Sequence, residues 1–169
     1  LFLVTLVSPA RSQILADFEI SLQDKEFGRF TIQLDQYNSP HATANFIRLA
    51  EGLVPWVDGT SGRVRTTPYY DGLTFHSLSA NIEIASGSRN ASGNDNAGWT
   101  LRDDFTMPGC GTYTVYMENN GPNSNGSRFF INIPTKYRIS WMIIRMIKIY
   151  IIIKICYICY INTRYINTI

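Results

Sequence analysis

The sequence predicts a mainly β fold, a β-barrel or sandwich with one capping helix, and three observations lead to this prediction. Apolar and polar residues alternate along residues 18–22 and 30–34, as they do in half-buried strands. A single segment that starts at Ser39 has helical spacing instead. Most of the remaining chain up to residue 135 consists of short apolar runs separated by loops rich in Gly, Asn and Ser.

The first two elements form a predicted β-hairpin. A polar turn at residues 23–26 separates two alternating runs, so each run would present one apolar face to a core. The apolar positions of the two predicted antiparallel strands are Phe18, Ile20, Leu22, Phe30, Ile32 and Leu34.

The helix is predicted from its start, its spacing and its end. Ser39 can act as the N-cap, and Pro40 suits the first helical position because its missing N–H would have no partner there. Gly52 marks the exit. One helical face would carry Phe46, Leu49, Ala50 and Leu53.

Further short strands are predicted after the helix. Each coincides with an apolar run that is bounded by turn-forming residues, notably the segments SGSRNASGNDNAG and NNGPNSNGS. The predicted strands lie around residues 73–78, 82–86, 111–117 and 128–133.

The composition limits the class of protein. A chain of 169 residues with 45% hydrophobic residues can build one domain around a single core. Residues 1–135 contain nine Lys and Arg against thirteen Asp and Glu, a net charge of −4. A nucleic-acid-binding face needs a basic folded surface, so no nucleic acid is expected as a partner. We also expect the protein to be a monomer.

The first ten residues have the pattern of the later part of a secretory signal peptide. An apolar run is followed by Ser8-Pro9-Ala10, whose small residues suit cleavage near Ala10. We therefore interpret residues 1–10 as a partial signal peptide and expect a secreted or periplasmic protein. The alternative is a buried first strand.

Residues 136–169 have a different composition from the rest and are expected to lie outside the fold. This low-complexity Ile/Tyr/Lys tail contains no Gly, Pro, Ala, Leu, Val, Phe, Asp or Glu, as translated AT-rich or out-of-frame DNA would. Trp141–Ile161 has the length of a membrane span, but its three basic residues offset the gain from ten Ile, so a membrane anchor is not expected. A sticky, β-prone tail is the other alternative.

Several kinds of site can be excluded from local patterns. Cys156 and Cys159 have C-x-x-C spacing without a second pair or a histidine cluster, so no metal site is predicted. His76 and Ser77 are neighbours on a predicted strand and would point to opposite faces, which argues against a base and its nucleophile. The glycine-rich segments lack the phosphate-binding signatures.

Four motifs follow one another along the chain, namely NFIRLAEG at 45–52, YYDGLTFH at 69–76, SGS at 86–88 and GPNSNGSRFFI at 121–131. In order and spacing, these motifs resemble the cyclophilin family of peptidyl-prolyl isomerases. The resemblance covers residues 16–135, which we take as a truncated cyclophilin-like domain. It implies a cyclophilin-like antiparallel β-barrel of eight strands capped by two helices, with a shallow groove that binds Xaa-Pro peptides. The closing helix and strands are not recognisable here, so the barrel would be incomplete at its C-terminus.

The resemblance also implies the chemistry of the groove. Rotation about a prolyl amide needs no cofactor and no covalent step, because the barrier of about 18–20 kcal/mol comes from amide resonance. In the family, an arginine directly after the F-H pair hydrogen-bonds the prolyl nitrogen and weakens that resonance, a form of preorganised electrostatic stabilisation. Proline-containing peptides or unfolded exported proteins would be the partners.

Carrying the family's groove onto this sequence places Ser77 at the arginine position. Arg128 stands where the family has a glutamine, and its longer side chain is a candidate substitute for the missing arginine. The positions that would bind substrate are His76, Ile82, Glu83, Ala85, Asn119 and Phe130. Of these, the resemblance places an aromatic residue at Ile82, an apolar one at Glu83 and a glutamine at Ala85.

The sequence therefore supports an isomerase that assists protein folding with weakened activity. Two alternatives stay open. The first is a non-catalytic module that binds proline-containing segments, and the second is an inactive truncated product.

Overall fold

The computed structural model describes residues 12–22, 25–79, 83–90, 92–104, 113–132 and 149–158. Nine strands and one helix are found in these segments. The predicted signal peptide at residues 1–10 and the candidate groove residue Ile82 lie outside the described residues.

The first two strands form the predicted hairpin. Strand β1 (Gln13–Leu22) pairs antiparallel with β2 (Lys25–Leu34), with Phe18 opposite Phe30 and a register shift after Ile20. Ala16 and Phe18 are fully buried, and alternate residues of β2 pack partly buried against the same core. The alternating pattern thus predicted both the pairing and the buried face.

Helix α1 (Pro40–Ala50) begins and ends where the sequence predicts. At its end Gly52 adopts a φ of +67°, while the N–H groups of Gly52 and Leu53 donate to the carbonyls of Leu49 and Arg48. This is the Schellman arrangement, which favours glycine because a side chain is strained at that φ.

Two details of the helix prediction were wrong. Ser39 occupies the N-cap position but its side chain makes no capping hydrogen bond. The Asp104 carboxylate, distant in sequence, caps the helix instead by accepting from the N–H of Ala42 at 2.8 Å. Leu53 is 63% exposed, because the left-handed turn at Gly52 takes the chain off the helical face before Leu53 is reached.

A four-stranded antiparallel sheet follows, in the spatial order β5-β6-β8-β7. Its strands are β5 (Ser77–Ser79), β6 (Glu83–Ser86), β7 (Val115–Met117) and β8 (Phe129–Asn132). Three of them lie within predicted strand regions and are shorter, whereas β5 overlaps the predicted region 73–78 only at Ser77 and Leu78 and extends to Ser79. At the start of that region, the N–H of Leu73 closes a turn onto the Tyr70 carbonyl.

Two short strands were not predicted. Strands β3 (Trp56–Val57) and β4 (Val64–Arg65) pair across a loop in which the Asp58 carboxylate accepts from the N–H groups of Thr60 and Ser61. Two-residue strands are too short to produce a recognisable alternation, so the sequence carries no signal for them.

An aromatic cluster joins the hairpin, the helix and the four-stranded sheet. The ring of Phe129 in β8 meets the rings of Phe18, Phe46 and Tyr70 edge-on, with centroid distances of 6.2, 5.9 and 5.9 Å. Phe46 also stacks on Tyr70 at 4.8 Å. Such pairs stabilise beyond the apolar area they bury, so Phe129 connects three elements at once.

Hydrogen bonds behind this cluster connect the ends of β6 and β8. The Tyr69 hydroxyl donates to the Gly87 carbonyl at 3.1 Å, and the Tyr70 hydroxyl donates to the Ser127 carbonyl at 3.0 Å. Burial raises the pKa of Tyr69 to about 12. Gly87 has a φ of +92°, and a Cβ there would lie 2.2 Å from the Ser127 oxygen, so only glycine allows the two segments to approach this closely.

Part of the tail that was expected to lie outside the fold pairs with the hairpin. Strand β9 (Ile149–Ile158) runs antiparallel to β1 along its whole length, which gives the sheet order β2-β1-β9. Without β9, the edge of β1 would expose unpaired backbone N–H and C=O groups, to which a further strand can pair. The Ile-rich segment 149–158 has a high propensity for the strand conformation and is therefore suited to pair with this edge.

Closure of the strands into a barrel is not detected, since the described hydrogen bonds form three separate sheets. One helix, rather than two, is found among the described residues. In that part of the chain no helix is long and apolar enough to cross a membrane.

Replacing Phe129 by alanine is expected to lower the free energy of unfolding by about 3–5 kcal/mol, because the change leaves a cavity between three elements. Urea unfolding followed by fluorescence measures it. The matched control is Phe27→Ala, since Phe27 is 69% exposed on β2 and should change stability by less than about 0.5 kcal/mol. Equal losses for the two variants would contradict this account of the core.

Deleting residues 136–169 is expected to lower the melting temperature by several degrees, because β1 loses its partner along ten residues. A loss of 1 kcal/mol moves the Tm of a chain of this size by about 2–4 °C. Circular dichroism melting of the full and shortened chains is the measurement. An unchanged Tm would support the expectation that the tail contributes nothing to the fold.

Candidate functional site

The candidate site lies on one face of the four-stranded sheet, along a row of residues that are directly opposite one another. Ser77 in β5 is paired with Ala85 in β6, Ala85 with Phe130 in β8, and Phe130 with Tyr116 in β7. Directly paired residues of antiparallel strands point to the same face. The register therefore brings three of the predicted site residues together and adds Tyr116, which the sequence analysis missed.

The opposite face of this sheet is the core face. Ser86 and Phe129 are paired and almost fully buried, and Ile84 and Ile131 are paired and pack into the same core. Because side chains alternate along each strand, burial of these residues directs their neighbours Ala85 and Phe130 away from the core.

The floor of the row is apolar and aromatic. Ala85 is buried, and Phe130 is half-buried with its ring centroid 5.4 Å from that of Tyr116 at a tilt of 33°. Ser77, at the end of the row, is exposed. This surface offers a small apolar patch with an exposed hydroxyl-bearing residue at its edge.

Glu83 lies on the same face, two residues along β6 from Ala85 and opposite Asn132 of β8. The Tyr116 hydroxyl donates a hydrogen bond to the Glu83 carboxylate. The aromatic side chain of Tyr116 thus crosses over β8 to connect β7 with β6. Sequence reasoning could not find this pair, because it depends on the order and register of β6, β8 and β7.

Arg128 directly precedes β8, and its guanidinium has two partners. Its Nε donates to Oε2 of Glu118 at 3.1 Å, and its Nη1 donates to the Gly93 carbonyl. The backbone N–H of Glu118 in turn donates to the Arg128 carbonyl at 2.9 Å. Both side chains are about four-fifths buried, so this is a partly desolvated ion pair between adjacent ends of β7 and β8.

His76 directly precedes Ser77, and its ring is packed against the loop that contains Gly93. Its backbone N–H donates to the Ala85 carbonyl at 3.0 Å, and a Cβ at Gly93 would lie 2.3 Å from its ring. Its Nδ1 is buried without a partner among the described residues. Burial lowers the pKa of His76, and the positive charge of Arg128 lowers it further. No described hydrogen bond joins His76 to the Ser77 hydroxyl.

Asn119 is engaged in a network of loop hydrogen bonds. Its Nδ2 donates to Asp103 at 2.9 Å, and its Oδ1 accepts from the N–H of Gly121 at 2.9 Å. Asp103 also accepts from Nδ2 of Asn125 and from the N–H of Asn123, which has a φ of +56°. Asn123 and Asn125 thus stabilise a turn, as is typical of a segment rich in Gly and Asn, and the amide of the predicted substrate-binding residue Asn119 is hydrogen-bonded within the same loop.

Outside the row, the described residues form a pocket but no metal-binding cluster. No group of three or more His, Cys, Asp or Glu side chains that could hold a metal ion is found among them. A pocket of about 530 Å³ opens beside α1, between Arg48, Val54, Trp99 and Leu101, and no residue of the row lines it.

Two comparisons with known proteins point to the same family, and each covers more than half of the chain. The family model described as cyclophilin type peptidyl-prolyl cis-trans isomerase/CLD matches residues 17–141. Peptidyl-prolyl cis-trans isomerase B of Streptomyces anulatus is 33% identical over 117 residues, which cover 65% of each protein. Peptidyl-prolyl cis-trans isomerase A of Mycobacterium tuberculosis is 31% identical over 108 residues, covering 63% of this chain and 59% of that protein. The chain thus spans less than two thirds of these relatives' length.

Acidification is expected to destabilise the protein through His76. Because the native pKa is lowered, the unfolded state binds the proton more readily, and stability falls as the pH drops below the usual value of about 6.5. Unfolding free energies at pH 7.5 and 5.5 measure this, with His76→Gln as the variant that removes it. NMR titration of the ring should give a higher pKa in Arg128→Gln; an unchanged midpoint would contradict the assigned influence of Arg128.

Proposed function

The chain belongs to the cyclophilin-type peptidyl-prolyl cis-trans isomerase family, and we propose that it binds Xaa-Pro segments on the Ser77–Tyr116 row and rotates their prolyl bond slowly. The support is the cross-strand row itself, which aligns the family's arginine position, here Ser77, with the aromatic Phe130 on one face. The chain spans less than two thirds of the length of these relatives. Both the prolyl substrate and the isomerase activity are therefore proposed for this chain.

The row has the features that a proline ring requires. Proline is apolar and lacks an N–H, so it needs an apolar contact surface and no backbone acceptor. Half-buried Phe130, with the Tyr116 ring beside it, supplies aromatic surface, and the small apolar side chain of Ala85 lies next to Phe130 in the row. An extended peptide lying along this face would present its prolyl bond toward the β5 side of the sheet, where Ser77 lies.

Slow rotation follows from the residue at position 77. The rate of rotation depends on stabilising the twisted amide, in which the lone pair of the nitrogen is no longer delocalised. A charged guanidinium can donate to that lone pair more strongly than a neutral hydroxyl, and it also reaches further. Ser77 supplies only a short, neutral donor, so binding would reduce the barrier less than in arginine-bearing relatives.

One observation favours a second candidate, a module that binds prolyl segments without turnover. The guanidinium of Arg128 is held by Glu118 and by the Gly93 carbonyl. To substitute for the missing arginine, it would have to leave at least one of these partners. An inactive truncated product is the third hypothesis, and it predicts neither binding nor turnover.

The setting of this function also remains a prediction. A partial signal peptide at residues 1–10 and a secreted or periplasmic location would give the protein unfolded exported chains as clients. We also propose that it acts as a monomer.

Restoring the arginine tests the proposal directly. In Ser77→Arg the new guanidinium would project from β5 on the same face as Phe130, and kcat/KM for a prolyl peptide is expected to rise by about 100-fold, the lower end of the effect of one preorganised donor. Exchange NMR between the cis and trans peptide is the measurement. Thr66→Arg, at an exposed loop position away from the sheet, adds the same charge and should leave the rate unchanged.

The other outcomes separate the candidates. Peptide binding without a response to Ser77→Arg would favour the non-catalytic module, and absence of binding would favour the inactive product. Arg128→Gln tests whether Arg128 substitutes for the arginine that is missing at position 77. If this variant loses the residual isomerisation rate, that rate depends on Arg128. An unchanged residual rate would exclude Arg128 from the reaction.

A further inference from the structure

We propose that Glu83, held by Tyr116, is an anionic subsite that selects prolyl segments with a lysine or arginine next to the proline. This inference rests on the proposed function, since it names the class of peptide that the same face would take. It goes beyond that function by assigning specificity to two residues at the edge of the row.

The position of Glu83 is suited to a residue that flanks a bound proline. It lies on the same face as Ala85 and Phe130, displaced along β6 by two residues, or roughly 6.6 Å. A neighbour of a proline seated on Phe130 would therefore extend over Glu83. Lysine and arginine carry their charge on long flexible stems that can lie along apolar surface, so either could reach the carboxylate.

The charges near the row leave Glu83 without compensation. The carboxylate of Glu118 is neutralised by Arg128 at 3.1 Å. Within the described part of the chain, no Lys, Arg or His forms a salt bridge with Glu83. Among the described residues, this end of the row therefore carries the negative charge of Glu83 without a paired cation, at the position where the resemblance implies an apolar residue.

Tyr116 keeps the carboxylate in place without removing its charge. Its hydroxyl donates to Oε1 of Glu83, while its ring rests against Phe130 at 5.4 Å. An ionised carboxylate has about four acceptor sites, so Oε2 can still accept from a cationic group. Since Glu83 is half-buried, its attraction for a cation is screened less than at an exposed site.

The test uses the full chain and peptides that differ only in the residue beside proline. One series places lysine, norleucine or glutamate before the proline, and a second series places them after it. Norleucine keeps the apolar stem of lysine and lacks its charge. Binding is measured by NMR chemical-shift titration. In one of the two series, lysine is expected to bind about three- to tenfold more tightly than norleucine, and glutamate more weakly still, as for a partly buried charge pair.

Variants of Glu83 and Tyr116 test whether these two residues cause the preference for lysine. Glu83→Gln should bind lysine and norleucine peptides equally, and Tyr116→Phe should reduce the preference because the carboxylate is no longer held. Glu51→Gln, which removes an exposed carboxylate at the end of α1, should leave the preference unchanged. With the wild-type chain alone, raising the salt concentration should reduce the lysine preference, so the test does not depend on the folding of any variant.

The outcomes distinguish this inference from the function on which it rests. Equal affinity for lysine, norleucine and glutamate peptides in both series would overturn the subsite and leave prolyl binding intact. A lysine preference that persists in Glu83→Gln would also overturn it. Absence of binding by every peptide would overturn both proposals.

Discussion

The burial of Phe129 is the interaction on which the candidate site depends. Its ring is held edge-on by Phe18, Phe46 and Tyr70, which come from the hairpin, the helix and the segment between β4 and β5. Because side chains alternate along a strand, inward Phe129 makes Phe130 point outward. The position of the groove aromatic is therefore a consequence of core packing.

The backbone behind the core adds a second constraint, which sets the register of β6 against β8. Gly87 and Ser127 approach so closely that a single Cβ would collide with a carbonyl oxygen, and the Tyr69 and Tyr70 hydroxyls bond to these same segments. Pairing of Ser86 with Phe129 follows directly after this contact, and pairing of Ala85 with Phe130 follows in turn. A slip of one residue would turn the groove residues into the core.

The unusual residues of the groove occur as interacting pairs. Arg128, which stands where the resemblance places a glutamine, forms an ion pair with Glu118. Glu83, at an apolar position of the family, is hydrogen-bonded by Tyr116. Each departure thus has a partner that reduces the penalty of placing a polar group on a half-buried sheet face. Ser77 differs, because a small exposed residue needs no partner there.

The sequence by itself determined the local elements and the family. The hairpin, the start and end of α1 and the four-stranded sheet's strands could be predicted, because alternation, Pro40 and Gly52 act over a few residues. Leu53 was wrongly assigned to the helical face, since periodicity alone does not report that a left-handed glycine has already ended the helix.

Only the tertiary structure decided which residues meet. The capping of α1 by Asp104, the contact of Tyr116 with Glu83 and the pairing of β9 with β1 join residues that are far apart in the chain. Such contacts are selected by strand order, register and the space left by the core, and a pattern within one short segment contains none of this information. For that reason the row forms only when four separate strands have paired, which brings together Ser77, Ala85, Phe130 and Tyr116.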